Sequence, residues 1–192
     1  MFYLLYHLRD LKGVFMDNKD LKKLKTVILY MANGKKTKDI IEEKVCKIID
    51  KYPSICEYQV DLNTLDLQEK GLNLGMIAGD WGYEKIAIKT LQNKLASVQQ
   101  DINGMNIGMF CAKNKLEKAT LISLDNPKAS IQQDSFGNNI GMYSANSKME
   151  IPTIKAMHNP VANNQLNKNN KTISIIFAQY QITNIKNNGL NK

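Results

Sequence analysis

A seven-residue phrase returns every 33 residues along this chain of 192 residues. It begins at Gly71, Gly104 and Gly137 and reads Gly-Leu-Asn-Leu-Gly-Met-Ile, Gly-Met-Asn-Ile-Gly-Met-Phe and Gly-Asn-Asn-Ile-Gly-Met-Tyr. A degenerate copy, Asn-Lys-Thr-Ile-Ser-Ile-Ile, begins at Asn170. A period kept without insertion predicts a stack of similar units, none of which can bury its apolar face alone. Such stacks usually present a surface to a partner and carry no chemistry.

Aligned at this period, the columns of the phrase predict the first helix of each unit. The central column precedes an apolar stretch and holds Asn73, Asn106, Asn139 and Thr172. The side-chain oxygen of such a residue can accept a hydrogen bond from an orphan amide of the first helical turn. The glycine two residues earlier suits a turn with positive φ. The second glycine of the phrase lies four residues before another small residue, so this helix face allows close approach by neighbouring helices.

A second helix is predicted after a short loop in each unit. Apolar residues three apart should share one of its faces, and they are Ile88 and Leu91, Leu121 and Leu124, Ile154 and Met157. An extended loop then leads to the next copy of the phrase. The methionine column of the first helix is interpreted as core rather than as a set of soft-metal ligands, and it comprises Met76, Met109 and Met142. The sequence thus predicts an all-α fold.

The region before the repeats has a different pattern. Residues 17–67 are interpreted as a helical hairpin cap and a linker without a clear period, with helices at Asp20 to Met31 and Lys38 to Lys51. Such a cap is needed because the end faces of an array are otherwise apolar. Thr37 should cap the second helix, whose apolar face is predicted to contain Ile40, Ile41, Val45, Ile48 and Ile49. Residues 1–16 are an uncertain N-terminal extension, with Met1 or Met16 as the start. Residues 68–192 hold about four units, the last one truncated, with a first helix at Thr172 to Ile182 and a polar remnant at Asn184 to Lys192.

Composition narrows the function classes. The formal charge is +8, yet Arg9 is the one arginine among 26 basic residues. Because bidentate recognition of phosphate uses arginine, nucleic acid is not expected to be the main partner. The lysines at 22, 23 and 25 are interpreted as a solvated helix face. Three cysteines at no metal spacing indicate a reduced, cytosolic-type setting, and the 33-residue register predicts that Cys111 is a small packed residue. No apolar run approaches the roughly 20 residues of a membrane helix.

Catalytic and metal-binding motifs are not found in the sequence. His7 and His158 are far apart, and neither has a plausible set of ligands nearby. The recurring Gly-x-Asn-x-Gly is interpreted as a structural turn, and no lysine-bearing phosphate loop or nucleophile motif occurs. We therefore expect no enzyme activity, no metal and no cofactor.

The repeated columns resemble the ankyrin repeat. That family has a 33-residue unit, an Asp-x-x-Gly turn, a helix opening with Thr-Pro-Leu-His, a pair of alanines, and a second helix with paired leucines. The matching positions here are Asp101 with Gly104, Asp134 with Gly137, Ala112, Ala145, Ala178, Leu91 and Leu124. Asn-Leu/Ile-Gly-Met replaces Thr-Pro-Leu-His, so the family's Thr–His hydrogen bond is absent. The tetratricopeptide repeat is the main alternative, but its period is 34 residues and it lacks the glycine turn.

The resemblance covers about residues 68–192 and implies an ankyrin-type helix-turn-helix repeat solenoid. In that family the turn tips and the exposed face of the first helices form a concave binding surface. Carried over by column, its predicted residues are Trp81, Ile102, Met105 and Phe136 as the apolar centre, Asn138 at a tip, and Lys113 and Lys115 at the rim. Aromatic anchors dominate the binding energy of many interfaces. In the alternative interpretation, Trp81 and Tyr83 cover the seam to the N-terminal hairpin.

The sequence therefore predicts a monomeric module that binds another protein and has no membrane partner. Lys/Asn-rich arrays of this kind look like those of obligate intracellular bacteria, rickettsia-like ones in particular, so a host protein is one class of partner. The expected location is cytoplasmic, with export into a host cell as the alternative. Two alternatives stay open: a degenerate fragment of a longer array without a dedicated partner, and a weak lysine-driven binder of nucleic acid or acidic polymers. Salt separates the last one, because phosphate-driven affinity falls steeply with salt.

Overall fold

The computed structural model describes residues 18–33, 36–63 and 68–189. The predicted extension at residues 1–16, with His7, Arg9 and the choice between Met1 and Met16, lies outside the described residues. The described chain is mostly helical, as predicted. The first elements are α1 (Asn18–Ala32), α2 (Lys38–Lys51), a 3-10 helix (Pro53–Cys56) and the strands β1 (Val60–Asn63) and β2 (Gln68–Leu72).

Three helix pairs follow at the 33-residue spacing. They are α3 (Leu74–Asp80) with α4 (Glu84–Leu91), α5 (Ile107–Lys113) with α6 (Glu117–Asp125), and α7 (Ile140–Asn146) with α8 (Glu150–Met157). A short α9 (Pro160–Asn164) and a long α10 (Ile173–Gly189) complete the described chain. Each first helix packs on the first helix of the next pair, α3 on α5, α5 on α7 and α7 on α10, while α4 packs on α6 and α6 on α8.

Two predictions about the ends of the array need correction. The linker predicted before the repeats contains the 3-10 helix and an antiparallel pairing of β1 with β2, in which Val60 lies opposite Leu72 and Asn63 opposite Gln68. At the other end, the predicted polar remnant after Ile182 continues the helix α10 as far as Gly189. The last unit is therefore one long helix where the others have two short ones.

The repeated asparagine is buried and forms three kinds of hydrogen bond. In each of the three full units its Oδ1 accepts from the amide of the methionine three residues later, at 3.0 Å, which confirms the predicted N-cap. Its Nδ2 donates to the backbone oxygen of an alanine 23 residues later and to a glutamine Oε1 at 2.8 Å, as for Asn106 with Ala129 and Gln132. Thr172 keeps the capping bond alone, from the amide of Ile175 at 3.3 Å.

The second glycine of the phrase receives a side chain from the next unit. A Cβ placed on Gly108 would lie 2.5 Å from Cδ1 of Ile140, and one on Gly75 would lie 2.5 Å from Cδ1 of Ile107. Gly141 has the same relation to Ile173. The isoleucine of one phrase thus fills the space left by the second glycine of the phrase in the preceding unit. This contact confirms the predicted close approach of neighbouring helices. The methionine column is fully buried, as predicted.

Side-chain amides join one unit to the next. Gln132 Nε2 donates to the backbone oxygen of Val98 at 2.8 Å, and Gln165 does the same to Ile131 at 2.7 Å. Asn126 and Asn159 donate to the hydroxyls of Ser97 and Ser130 in the preceding unit. Gln100 and Gln133 donate both to their own turn and to a carbonyl of the following unit. These amide bridges satisfy the backbone groups of loops that carry little regular structure.

The apolar residues predicted to share a face of the second helices are only partly buried. Leu91 is buried, but Ile154 is 38% exposed, and Ile88 and Leu121 are half-buried. The other buried positions are mostly smaller, namely Ile86, Ala87 and Thr90, Ala119, Thr120 and Ser123, and Pro152, Thr153 and Ala156. The threonine hydroxyls donate to carbonyls four residues earlier, at 3.0, 2.7 and 2.6 Å. Small side chains, and threonines whose hydroxyls bond within their own helix, allow close helix packing, a signal that apolar periodicity does not contain.

The hairpin of α1 and α2 packs on the array through α4. The buried Glu42 accepts a hydrogen bond from the Lys85 amide at 2.8 Å, at the start of α4, and Tyr83 Oη donates to the Met31 carbonyl at 2.8 Å. Two details of the prediction are wrong: Thr37 occupies the N-cap position but makes no capping bond, and Ile40 is 43% exposed. The predicted hairpin itself is confirmed at both helices.

A lysine in the left-handed backbone region offers a test of turn chemistry. Lys115 follows α5 with φ of 59°, whereas the first unit has Gly82 there, with φ of 78°. Because a side chain is strained in this region, Lys115→Gly is expected to raise the free energy of unfolding by about 0.5–1 kcal/mol. The matched control is Lys118→Gly inside α6, which should lower it by about 1 kcal/mol. Urea denaturation of both variants measures the two values, and equal destabilisation would contradict the argument.

Candidate partner-binding face

The turn tips of the units are held by a side-chain oxygen at a fixed position. Asp101 Oδ1 accepts from the amides of Asn103 and Met105, at 2.9 and 2.7 Å. Asp134 does the same for Phe136 and Asn138, at 2.9 and 2.8 Å. Asn167 replaces the aspartate in the next turn and accepts from the amides of Asn169 and Lys171, both at 3.0 Å. The glycines that close the first two turns have φ of 80° and 78°, as predicted.

Neighbouring tips are also hydrogen-bonded to one another. The amide of Ser135 donates to the carbonyl of Asn103 at 2.7 Å, and the amide of Lys168 donates to the carbonyl of Phe136 at 2.9 Å. The tips therefore form a continuous row. A binding surface built on this row is ordered before a partner arrives, which lowers the entropy cost of association.

Ile102 and Phe136 project from this row into solvent, as predicted. Ile102 is 68% exposed and Phe136 is 63% exposed. In the repeat register Ile102 aligns with Ser135 and Phe136 aligns with Asn103, so the two positions are offset by one residue. The ammonium group of Lys168 lies 5.7 Å from the centroid of the Phe136 ring. Two adjacent tips thus present large apolar groups beside a cation.

Met105 and Tyr143 lie next to the tip row. Met105 is half-buried and packs against the core. The Tyr143 hydroxyl lies 3.8 Å from Met105 Sδ and donates to Asp134 Oδ2 at 2.7 Å. Burial, together with the hydrogen bond and charge of Asp134, raises the pKa of Tyr143. The hydroxyl therefore remains a donor, and it fixes the turn that carries Phe136.

Asn138 is occupied by structural contacts. Its Oδ1 accepts from Asn167 Nδ2 at 3.0 Å, and its Nδ2 lies 3.4 Å from Asp134 Oδ2. Its backbone carbonyl accepts from the Asp134 amide at 2.9 Å. The side chain thus joins two successive turns, which leaves it little capacity to bind a partner.

The other predicted residues lie at the far ends of the first helices. Trp81 is half-buried and packs against the main core, Lys113 Nζ lies 3.6 Å from Asp80 Oδ1, and Lys115 is exposed. A seven-residue helix separates these positions from the turn tips by about 10 Å. The structure therefore brings Ile102, Met105 and Phe136 together but places Trp81, Lys113 and Lys115 in a second group. The contact of Tyr83 with Met31 agrees with the alternative in which Trp81 and Tyr83 cover the seam.

Sequence reasoning missed some residues of this face. Tyr143 shares a repeat column with the apolar residues Ile77 and Phe110, so its hydroxyl was the one feature of the sequence that could have indicated a different role. Tyr180 occupies the column of Trp81, and Lys148 Nζ lies 5.5 Å from its ring centroid. Aromatic rings thus stand at both ends of this column, with Asn114 and Ser147 between them.

Other kinds of site are not seen in the described ranges. Residues 18–33, 36–63 and 68–189 contain no group of three or more His, Cys, Asp or Glu side chains placed to hold a metal ion. No helix in this part of the chain combines the length and apolar character needed to cross a membrane. All three cysteines are free, and burial raises the pKa of Cys56 to about 11. Cys111 is fully buried, as its column predicted.

The fold and the tip row define a mostly α-helical protein with contacts repeated at the period of its sequence. No protein-family model matches this chain, and no curated protein matches it in sequence.

Proposed function

We propose that this protein is an ankyrin-type repeat solenoid, capped by the α1–α2 hairpin, that binds another protein through its turn tips and catalyses no reaction. The observation that carries the proposal is the exposure of Ile102 and Phe136 on adjacent, hydrogen-bonded tips. Repetition of the asparagine caps, the glycine–isoleucine contacts and the amide bridges at the 33-residue spacing supports the repeat assignment.

The tip row has the properties of an interface centre. Two large apolar side chains lie on a backbone that hydrogen bonds already hold in place. When a partner buries these side chains, the favourable free energy of desolvation is therefore reduced little by the entropy cost of ordering the tips. Lys168 lies over the Phe136 ring, and Lys148 and Lys115 are exposed farther along the first helices. We expect a partner with apolar side chains that fit against the tips and carboxylates around them.

A pair of substitutions taken from the chain itself tests this surface. Ile102→Ser and Phe136→Asn introduce the residues found at the same repeat positions, Ser135 and Asn103, in the adjacent turns. Both turns should therefore still form. The matched control is Ile122→Ser with Ile151→Ser, which removes two exposed isoleucines from the second helices. Each protein would be immobilised and exposed to lysate of the source cell at low and high salt, and the retained proteins would be quantified by mass spectrometry.

The expected result is a discrete partner that the wild type and the control retain at high salt. The tip variant should retain at least about tenfold less of this partner, because one interface anchor typically contributes more than about 1.4 kcal/mol to binding. Equal retention by the tip variant would contradict the proposal. Binding that disappears from all three proteins at high salt would favour the lysine-driven alternative, and no discrete partner would favour the degenerate array.

A further inference from the structure

Lysine side chains of the N-terminal hairpin gather around two tyrosine rings. Three ammonium groups lie 5.5–5.7 Å from the centroid of Tyr52, and they belong to Lys19, Lys23 and Lys51. Two more lie 5.4 and 5.7 Å from the centroid of Tyr30, and they belong to Lys36 and Lys44. We call these five lysines the lysine stripe. Each is within the range of a cation–π contact, so the two rings gather cations that would otherwise repel one another.

The two groups lie on the same side of the hairpin. Lys23 and Tyr30 are seven residues apart on α1, and Lys44 and Lys51 are seven apart on α2. Residues seven apart share a helix face, about 10 Å from each other along the axis. Both rings are half-buried against the core, together with Ile48 of α2. The lysine stripe therefore follows the seam between α1 and α2.

The carboxylates of the hairpin are engaged elsewhere. Asp39 and the buried Glu42 pair with Lys85 of α4, at 2.8 and 3.7 Å, and Asp50 pairs with Lys89 at 2.5 Å. Glu43 pairs with Lys47 at 2.6 Å, and Asp20 accepts a hydrogen bond from Ser54 at 2.6 Å. Among the described residues, no carboxylate lies within 4 Å of the ammonium groups of Lys23, Lys36, Lys44 or Lys51. Three of these carboxylates are thus directed toward α4, the other two have partners of their own, and positive charge is concentrated along the seam.

The titration of Tyr30 is consistent with this concentration of charge. Desolvation by itself would raise the pKa of Tyr30, but the neighbouring Lys36 and Lys44 outweigh that effect, and its pKa lies below the ordinary value.

We propose that the lysine stripe docks this protein onto a membrane surface that contains anionic lipid. Clusters of four to eight basic residues on a helical surface attract phosphatidylserine-type headgroups as point charges, without the forked geometry of arginine. Nucleic acid is the less favoured ligand, because base stacking needs an open aromatic face and both rings are half-buried under ammonium groups.

Vesicle flotation of the full chain tests the proposal. The vesicles are phosphatidylcholine alone or phosphatidylcholine mixed with phosphatidylserine, and the variant carries Lys23→Gln, Lys44→Gln and Lys51→Gln. The matched control removes the same charge from exposed lysines of the repeats, through Lys94→Gln, Lys118→Gln and Lys128→Gln. A third protein carries Lys23→Arg, Lys44→Arg and Lys51→Arg, which keeps the charge. Circular dichroism and thermal melting verify that all four proteins fold.

The wild type should float with the mixed vesicles and not with phosphatidylcholine alone, and salt should release it. Each stripe lysine contributes about fivefold to partitioning, so the triple glutamine variant should bind about 100-fold more weakly. The arginine variant and the repeat control should bind within a few-fold of the wild type. Failure of the wild type to bind mixed vesicles would overturn the proposal, as would equal losses in the stripe variant and the repeat control. Tighter binding to a DNA duplex than to vesicles, lost in the stripe variant, would replace it with nucleic-acid binding.

Discussion

Gly108→Ala is expected to lower the free energy of unfolding by about 2–3 kcal/mol. The new methyl group would lie 2.5 Å from Ile140 Cδ1 and 2.6 Å from Ser123 Cβ, and both contacts are too short for carbon atoms. Alanine favours a helix interior by about 1 kcal/mol over glycine, so a net loss can come only from these packing contacts, one within the unit and one with the next unit. Urea denaturation followed by circular dichroism measures the difference.

Gly82→Ala is the matched control for that substitution. No atom lies within 4 Å of a Cβ placed on Gly82, but its φ of 78° strains any side chain. The control should therefore lose only about 1 kcal/mol, from backbone strain alone. Combining Gly108→Ala with Ile140→Val removes the Cδ1 atom in the closest contact and should recover part of the loss. Equal stability of Gly108→Ala and the wild type would mean that the isoleucine does not occupy this space.

Asn106→Ala is expected to lower the free energy of unfolding by about 3 kcal/mol. The change removes the helix cap, worth about 1 kcal/mol, and two bonds donated by the buried amide, worth about 0.5–1.5 kcal/mol each. The cap is the bond from the Met109 amide, and the donated bonds go to the Ala129 carbonyl and to Gln132 Oε1. Denaturant titration gives the loss.

Asn106→Thr separates the cap from the bonds to the loop. Thr172 shows that threonine can cap a first helix in this chain. The threonine variant should therefore keep the cap, lose the two bonds donated by the amide, and have a stability between those of Asn106→Ala and the wild type. A double-mutant cycle with Gln132→Ala should give a coupling energy of about 0.5–3 kcal/mol. Independent effects in that cycle would show that the asparagine acts as a cap alone.

The local features of the first helix were predictable from sequence because each depends on residues within one turn. Capping by Asn73 depends on the amide three residues later, and the positive φ of Gly104 depends on its own turn. Burial of the methionine column follows from one helical period. The buried positions of the second helices were not predictable in this way, since Thr120 and Ser123 are buried by close packing against other helices.

The residues of the two candidate binding surfaces also differ in how far local sequence could predict them. Ile102 and Phe136 could be recognised because an apolar residue at a turn tip has nothing to pack against. The structural contacts of Asn138 depend on Asn167 of the next turn, and the burial of Trp81 depends on the core around it. Lys23 was interpreted, together with Lys22 and Lys25, as part of a solvated helix face, and the members of the lysine stripe after α1 lie too far from it in sequence to form a recognisable pattern. Only their antiparallel seam brings Lys23 and Lys51 to one ring.

The amide bridges constrain how this gene can change. Gln132, Asn126 and Gln100 each reach a partner in an adjacent unit, and the same three links recur one period later. Inserting or deleting a single residue in a unit would displace all three links at once and leave several buried polar groups without partners. Duplicating or removing a whole unit would keep every donor opposite its acceptor. Related genes should therefore differ in the number of complete units, while the length of each unit stays the same.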